Sequence, residues 1–300
     1  MSNFPNHVTL VEVGPRDGLQ NEKNIIPTAI KIDLINRLSQ TGLKIIEATS
    51  FVSPKWIPQL ADGAAVLAGI SLQTDIRYPV LIPNLNGLNR ALQAGAKEIA
   101  VICATTETFS QKNTHCSIAD SLKRIQETLV TAKQHQLRVR GYISCALGCP
   151  FEGTVPPKKV LELATQLITL GCHEICLGDT IGIGTPLQAT QLIQTLVPEI
   201  PIQRLAIHFH DTYGQALANI YACLALGIST IDSSIAGLGG CPYAKGATGN
   251  VATEDVLYLM NGLGITTGID LDALISVSQF VAQFTGQPPR SKVTLAKTRI

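Results

Sequence analysis

Aromatic side chains make up only 5% of this 300-residue chain, with a single tryptophan, and charged ones only 15%. So small a charged fraction excludes a disordered, solvated polymer and calls for a large covered core. A chain of this length buries roughly three quarters of the surface it exposes when unfolded. An excess of either charge is also missing, because 23 Lys+Arg nearly cancel 22 Asp+Glu, leaving a formal charge of +1. With no dense basic cluster either, nucleic acid and anionic membrane surfaces are not expected partners. Nowhere do roughly 18 consecutive residues stay apolar, so no membrane-spanning helix is expected, although mean hydropathy is +0.23.

The opening MSNFPNHVTLVEV has no basic segment followed by an apolar one and enters a strand-like pattern by Val8. A cytoplasmic protein is therefore expected, and its eight cysteines (103, 116, 145, 149, 172, 176, 223 and 241) are expected to be reduced. Cys145 and Cys149, like Cys172 and Cys176, are four apart. In an extended strand that spacing separates the thiols by roughly 13 Å, too far for one tetrahedral zinc with bonds of about 2.3 Å.

What the chain does have is a recurrence. Short runs rich in Val, Ile and Leu begin at Val8, Lys44, Pro79, Lys97, Arg138, Cys172, Arg204 and Thr230, about 32 residues apart on average. Amphipathic helical stretches such as 30–40 and 160–170 fill most of the gaps. The gap between the third and fourth runs has room only for a short helix around 88–94. Nearly continuous apolar strands belong to a parallel sheet buried on both faces, and eight such units predict an α/β fold, a (β/α)8 TIM barrel. Helices are predicted at 253–263 and 271–284, ahead of the tail GQPPRSKVTLAKTRI. No linker divides the chain, so 1–300 reads as a single catalytic domain, with about 265–300 a C-terminal helical addition and tail. A doubly wound sheet would need a glycine-rich phosphate turn after the first strand, and Gly14-Pro15-Arg16-Asp17-Gly18 lacks that spacing.

In a barrel the reactive groups gather at the C-terminal ends of the strands. Those ends offer Arg16, Asp17 and Gln20, then Glu47 and Ser50, then Asp179 and Thr180, then His208, His210 and Asp211, and last a loop with Cys241 and Asn250. His208 and His210, two apart on a strand end, point to the same face. A core pair bonded to backbone would show the same spacing. With Asp17 and Asn250 on strands that meet when the barrel closes, two imidazoles, a carboxylate and an amide oxygen suit hexacoordinate Mg2+ or Mn2+ better than zinc. No nucleotide or flavin cofactor is expected.

Arg16 is either a salt-bridge partner of Asp17 or a cation aimed at developing negative charge, such as an enolate oxygen. Glu47 is expected to orient Arg16 through an ion pair. The loop AGLGGCPYAKGATGN, with five glycines, can close over a ligand and carries Cys241, a thiol whose ordinary pKa near 8.5 suits proton donation close to neutrality.

The stretches VEVGPRDGLQNE, TSFVSPKWIPQ, RGYISCALGCPFEG, LGDTIGIGTP, HFHDTYGQALAN and SSIAGLGGCPYAKGATGNVATEDV resemble the 3-hydroxy-3-methylglutaryl-CoA lyases, a family of DRE-TIM metallolyases, from about residue 11 to 264. The resemblance implies cleavage of an acyl-CoA thioester to acetoacetate and acetyl-CoA, a step of leucine degradation and ketone-body formation. It implies metal ligation by Asp17, His208, His210 and Asn250, with Arg16 and Cys241 catalytic. Glu47, Asp179, Glu254 and Asp255 match the family's functional acids, and Gln20, Ser50 and Thr180 stand where substrate is held. No cysteine follows Cys241, so the C-terminal thiol of vertebrate members has no counterpart. Related Claisen-type synthases share the RDG and HxH features but carry a shorter loop of the form GxGERxGN. A lyase for a longer branched substrate, a catalytically silent metal-binding scaffold and a homodimer are left open.

Overall fold

The computed structural model describes residues 4–240 and 249–298. Its strands are β1 (Thr9–Glu12), β2 (Ile45–Ile46), β3 (Thr49–Ser50), β4 (Val80–Leu81), β5 (Glu98–Ala104), β6 (Arg138–Ser144), β7 (Glu174–Asp179), β8 (Leu205–Phe209) and β9 (Thr230–Ser233). All pair in parallel, in the order β2-β1-β9-β8-β7-β6-β5-β4-β3. β2 and β3 are two halves of one strand. Its first half pairs with β1 and its second with β4, and the Glu47 amide donates to the Glu12 carbonyl while the Ala48 amide donates to that of Pro79. The sheet thus curls into an eight-stave barrel whose second stave is interrupted, where an unbroken strand was expected.

Helices α1 (Thr28–Leu38), α2 (Gly63–Gly69), α3 (Leu85–Gln93), α4 (Glu107–Thr114), α5 (Ile118–Gln134), α6 (Pro157–Leu170), α7 (Pro186–Leu196) and α8 (Ala216–Leu224) connect the staves. The alternation of strand side chains sets which groups meet in the centre. Leu205, Ile207 and Phe209 of β8 pack outward into the large core under the helices, whereas Ala206 packs inward with Leu81, Ala100, Tyr142 and Cys176. The same inward parity carries His208 and, just past the strand, His210.

Three helices follow the barrel: α9 (Thr253–Gly262), α10 (Leu271–Thr285) and α11 (Lys292–Thr298). The last falls in the segment expected only as a tail. Its start is fixed from outside the segment, because the Asp255 carboxylate accepts from the Ser291 hydroxyl and from the Lys292 and Val293 amides. These are amide donors that a helix start cannot satisfy from within. Among the described residues no helix is long and apolar enough to cross a membrane, and the seven described cysteines are free thiols. The Cys145–Cys149 segment is not extended. β6 ends at Ser144, Cys145 turns left-handed (φ 61°), and Cys149 packs its sulfur 3.0 Å from the Thr106 hydroxyl.

Candidate metal centre and active site

The turn after β1 brings the first ligand into place. Residues Gly14–Gly18 form one π-helical turn, in which the amides of Arg16, Asp17 and Gly18 all converge on the Val13 carbonyl, a widened turn often found at functional sites. Gly18 is required by proximity, since a Cβ there would lie 2.8 Å from both Leu238 Cβ and Ser234 Oγ. The turn is thereby pressed against the segment that enters the loop after β9.

Asp17, His208 and His210 face one another across this gap, with one potential ligand atom from each lying within 4.8 Å of the other two. At the bonds of about 2.1 Å that Mg2+ forms, ligands of one octahedral ion stand about 3 to 4 Å apart, so the cluster is close to coordinating dimensions. Asn250 joins it from the end of the loop: its amide nitrogen donates to Asp17 Oδ2 at 2.8 Å and to the Leu238 carbonyl at 3.1 Å. His210 Nδ1 is buried and meets no described hydrogen-bond partner, which costs about 1 to 3 kcal/mol unless something beyond the described residues completes it. The donor set and this orphaned nitrogen both fit a divalent cation. Burial alone would raise the Asp17 pKa, but Arg16, His208, His210 and the Asn250 hydrogen bond outweigh it and hold the carboxyl well below its usual range. Burial and the neighbouring His208 push His210 down to about 4, keeping its imidazole neutral and its lone pair free near neutrality.

Arg16 is buried, at 4% exposure, and its hydrogen bonds run to two acids. Nε donates to Glu47 Oε2 at 2.7 Å and Nη1 to Asp17 Oδ1 at 2.6 Å, while its guanidinium carbon lies 5.5 Å from the Tyr142 ring centroid. The ion pair expected between Glu47 and Arg16 is present. Burial raises the Glu47 pKa even against that partner, a sign of how little water reaches the pair.

The remaining sequence candidates divide. Gln20 and Thr180 line the same cavity as Arg16, Asp17, His208 and His210, a space of about 790 Å3. Ser50 is buried, its hydroxyl meeting no partner among the described residues. Asp179 turns onto its own loop, accepting from the Ile183 and Gly184 amides at 3.2 and 2.8 Å. Glu254 accepts from the Ala236 amide and the Thr294 hydroxyl, so it braces Ala236, which sits at φ 58° in the left-handed region. Asp255 is committed to α11. The structure does not bring these last two acids to the metal cluster, because the start of α9 points them at the C-terminal segment. Cys241 lies outside the described residues.

Reading the sequence did not single out Asp232 or Arg140. Asp232 Oδ2 stands 3.2 Å from His208 Nδ1, and Oδ1 accepts from Arg140 Nη2 at 2.7 Å. The available signal was an acidic residue in β9 at a strand position beside His208.

A barrel with two histidines, an aspartate and an asparagine at its mouth, beside an arginine caged by acids, defines a metal-dependent enzyme. The chain matches the HMGL-like family over residues 7–281. It is 54% identical over 296 residues to rat "3-hydroxy-3-methylglutaryl-CoA lyase, cytoplasmic", covering 99% of this chain and 86% of that one, while other relatives carry mitochondrial names. Among solved structures, hydroxymethylglutaryl-CoA lyase from Pseudomonas aeruginosa superposes with a TM-score of 0.97 at 57% identity over 98% of both chains. An Acinetobacter baumannii HMG-CoA lyase in complex with coenzyme A and 3-methylmalate gives 0.93 at 40% identity, over 100% of this chain and 97% of that one. The chain belongs to the HMGL-like family, among its HMG-CoA lyases.

Proposed function

We propose that this protein is a metal-dependent carbon–carbon lyase that cleaves 3-hydroxy-3-methylglutaryl-CoA to acetoacetate and acetyl-CoA. The observation that carries the reading is the Asp17–His208–His210 cluster opening into the same cavity as Arg16. Exposed Lys23, Lys112 and Arg124 line that cavity too, a cationic wall suited to the phosphates of a CoA thioester. Mg2+ or Mn2+ is the cation proposed, held by Asp17, His208, His210 and Asn250; when bound it supplies Lewis-acid polarisation and lowers the pKa of a coordinated hydroxyl.

Cleavage removes the proton from the tertiary hydroxyl, turns that carbon into the ketone of acetoacetate, and leaves the bond's electron pair on the acetyl-CoA fragment as an enolate. Asp17 or His208 is the proposed acceptor of that proton. Arg16, held by Glu47 and Asp17, presents a fixed positive charge to the enolate oxygen as charge develops there. Gln20 and Thr180 lie where they can orient the acyl chain. A proton must then reach the acetyl carbon, and Cys241 is the proposed donor. The catalytic unit is proposed to span 1–300 and to work in the cytoplasm, a compartment supported by the name of the rat relative; a homodimer is the assembly to test.

Incubation of the purified protein with Mg2+ and the CoA thioester is expected to release acetoacetate and acetyl-CoA in equal amounts. Absence of both products would overturn the activity. Cys241→Ser is expected to retain metal binding and thermal stability while turnover falls by at least about 100-fold, since a hydroxyl is a far weaker acid than a thiol of pKa near 8.5. A serine variant keeping more than half of the wild-type kcat would transfer the protonation to water.

A further inference from the structure

The two histidines of the cluster are not equivalent. His210 Nδ1 meets no described partner, whereas His208 Nδ1 faces a carboxylate at 3.2 Å. That carboxylate comes from the adjacent strand, where His208 of β8 and Asp232 of β9 are Cα partners in register, so their side chains share the barrel interior. We infer that Asp232, itself locked by Arg140, is a positioning residue that keeps the proton of His208 on Nδ1 and so reserves Nε2 for the cation. The inference rests on the metal reading proposed above and extends it to groups that do not touch the ion.

Every contact around Asp232 supports an acceptor role. Oδ1 takes the hydrogen bond of Arg140 Nη2 at 2.7 Å, and Oδ2 accepts from the Cys176 thiol at 3.5 Å as well as facing His208. With Arg140 always charged and Asp232 at 1% exposure, both carboxylate oxygens are engaged by donors. An imidazole nitrogen beside such an oxygen must carry the hydrogen, so in the neutral ring Nε2 keeps its lone pair, 3.9 Å from Asp17 Oδ2.

Arg140 cannot drift from this duty. It forms an ion pair with Glu174 at 2.7 Å, donates from Nη1 to the Tyr142 hydroxyl at 3.1 Å, and lies 5.0 Å from that ring's centroid. The same ring lies beneath Arg16 and stands edge-on to His208, at 6.2 Å between ring centroids. One buried arginine thus braces, through Asp232 on one side and Tyr142 on the other, both the metal ligand and the oxyanion cation.

The test combines a spectroscopic signature with a binding constant. In the Mg2+-loaded wild type, long-range 15N–1H spectra of histidine-labelled protein are expected to show His208 as the Nδ1–H tautomer, its signal assigned by its loss in H208N. In D232N the one amide oxygen goes to Arg140, the NH2 faces His208, and the tautomer inverts. Mn2+ affinity of the free protein, read by electron paramagnetic resonance, should then fall about 10- to 100-fold while the protein stays folded by circular dichroism. If D232N does not fold, the wild-type spectrum decides alone, and an Nε2–H His208 would overturn the inference. A folded D232N with unchanged Mn2+ affinity would overturn it as well and leave the metal reading intact. A wild type that binds no Mn2+ would remove the metal reading and this inference with it.

Discussion

Arg16→Lys is expected to lower kcat by about 100- to 1000-fold, the usual effect of removing one preorganised oxyanion donor, with little change in KM. The reason lies in how the guanidinium is held. Glu47 takes Nε at 2.7 Å and Asp17 takes Nη1 at 2.6 Å, so two carboxylates, one from the turn after β1 and one from the break in the second stave, fix one plane over Tyr142. An ammonium has no fork and cannot serve both acids in that geometry while keeping a charge aimed at the cavity. Each acid then loses a donor, Glu47 in a fully buried position, and their realignment disturbs Asp17, one of the proposed ligands. Steady-state kinetics with the CoA thioester decide the point, because loss of an interaction made only in the transition state appears in kcat. A lysine variant with near-normal kcat and a raised KM would make Arg16 a substrate-binding group alone.

The largest loss is expected from His210→Ala, which should bring turnover to background by removing cation binding rather than by unfolding. Burial and His208 hold this imidazole neutral at ordinary pH, and its Nδ1 is paired with no described group. Its truncation therefore breaks no hydrogen bond at that atom, and the fold should survive. Loss of a direct ligand should exceed the 10- to 100-fold seen when a supporting group is removed, so Mn2+ binding should weaken by more than about 100-fold. Titration calorimetry or paramagnetic resonance on the variant, together with turnover of the wild type after exhaustive chelation, provides the check. Full activity in the chelated wild type would refute the metal assignment, and tight Mn2+ binding by the alanine variant would remove His210 from the ligand set.

The staves of the barrel were legible because strands covered on both faces must be apolar almost throughout, and every one of the eight runs contains strand. The break in the second stave was not. It arises where Glu47 turns inward to Arg16, a demand made by a residue 31 positions away. The helix at 292–298 was missed although Ser291 caps it locally, its hydroxyl accepting from the Thr294 amide; the further support from Asp255 comes from outside the segment. Asp255 and Glu254 stood out in the sequence as acids of the site, yet the fold spends them on the C-terminal segment and on the left-handed turn at Ala236.

By itself the sequence determined the α/β barrel, the same-face pairing of His208 and His210, and the RDG turn that supplies Arg16 and Asp17. These depend on a two-residue strand period and on local spacing, and such information is contained in a short stretch of chain. Only the tertiary structure decided which nitrogen of His208 is backed by a carboxylate, and which arginine backs that carboxylate. Asp232 is 24 residues from His208 and 92 from Arg140, and no local pattern links them. They meet because closing the parallel sheet puts their staves in one register and turns their side chains into the same unhydrated interior, where an unpaired charge would be costly and each polar group must find its partner across the barrel.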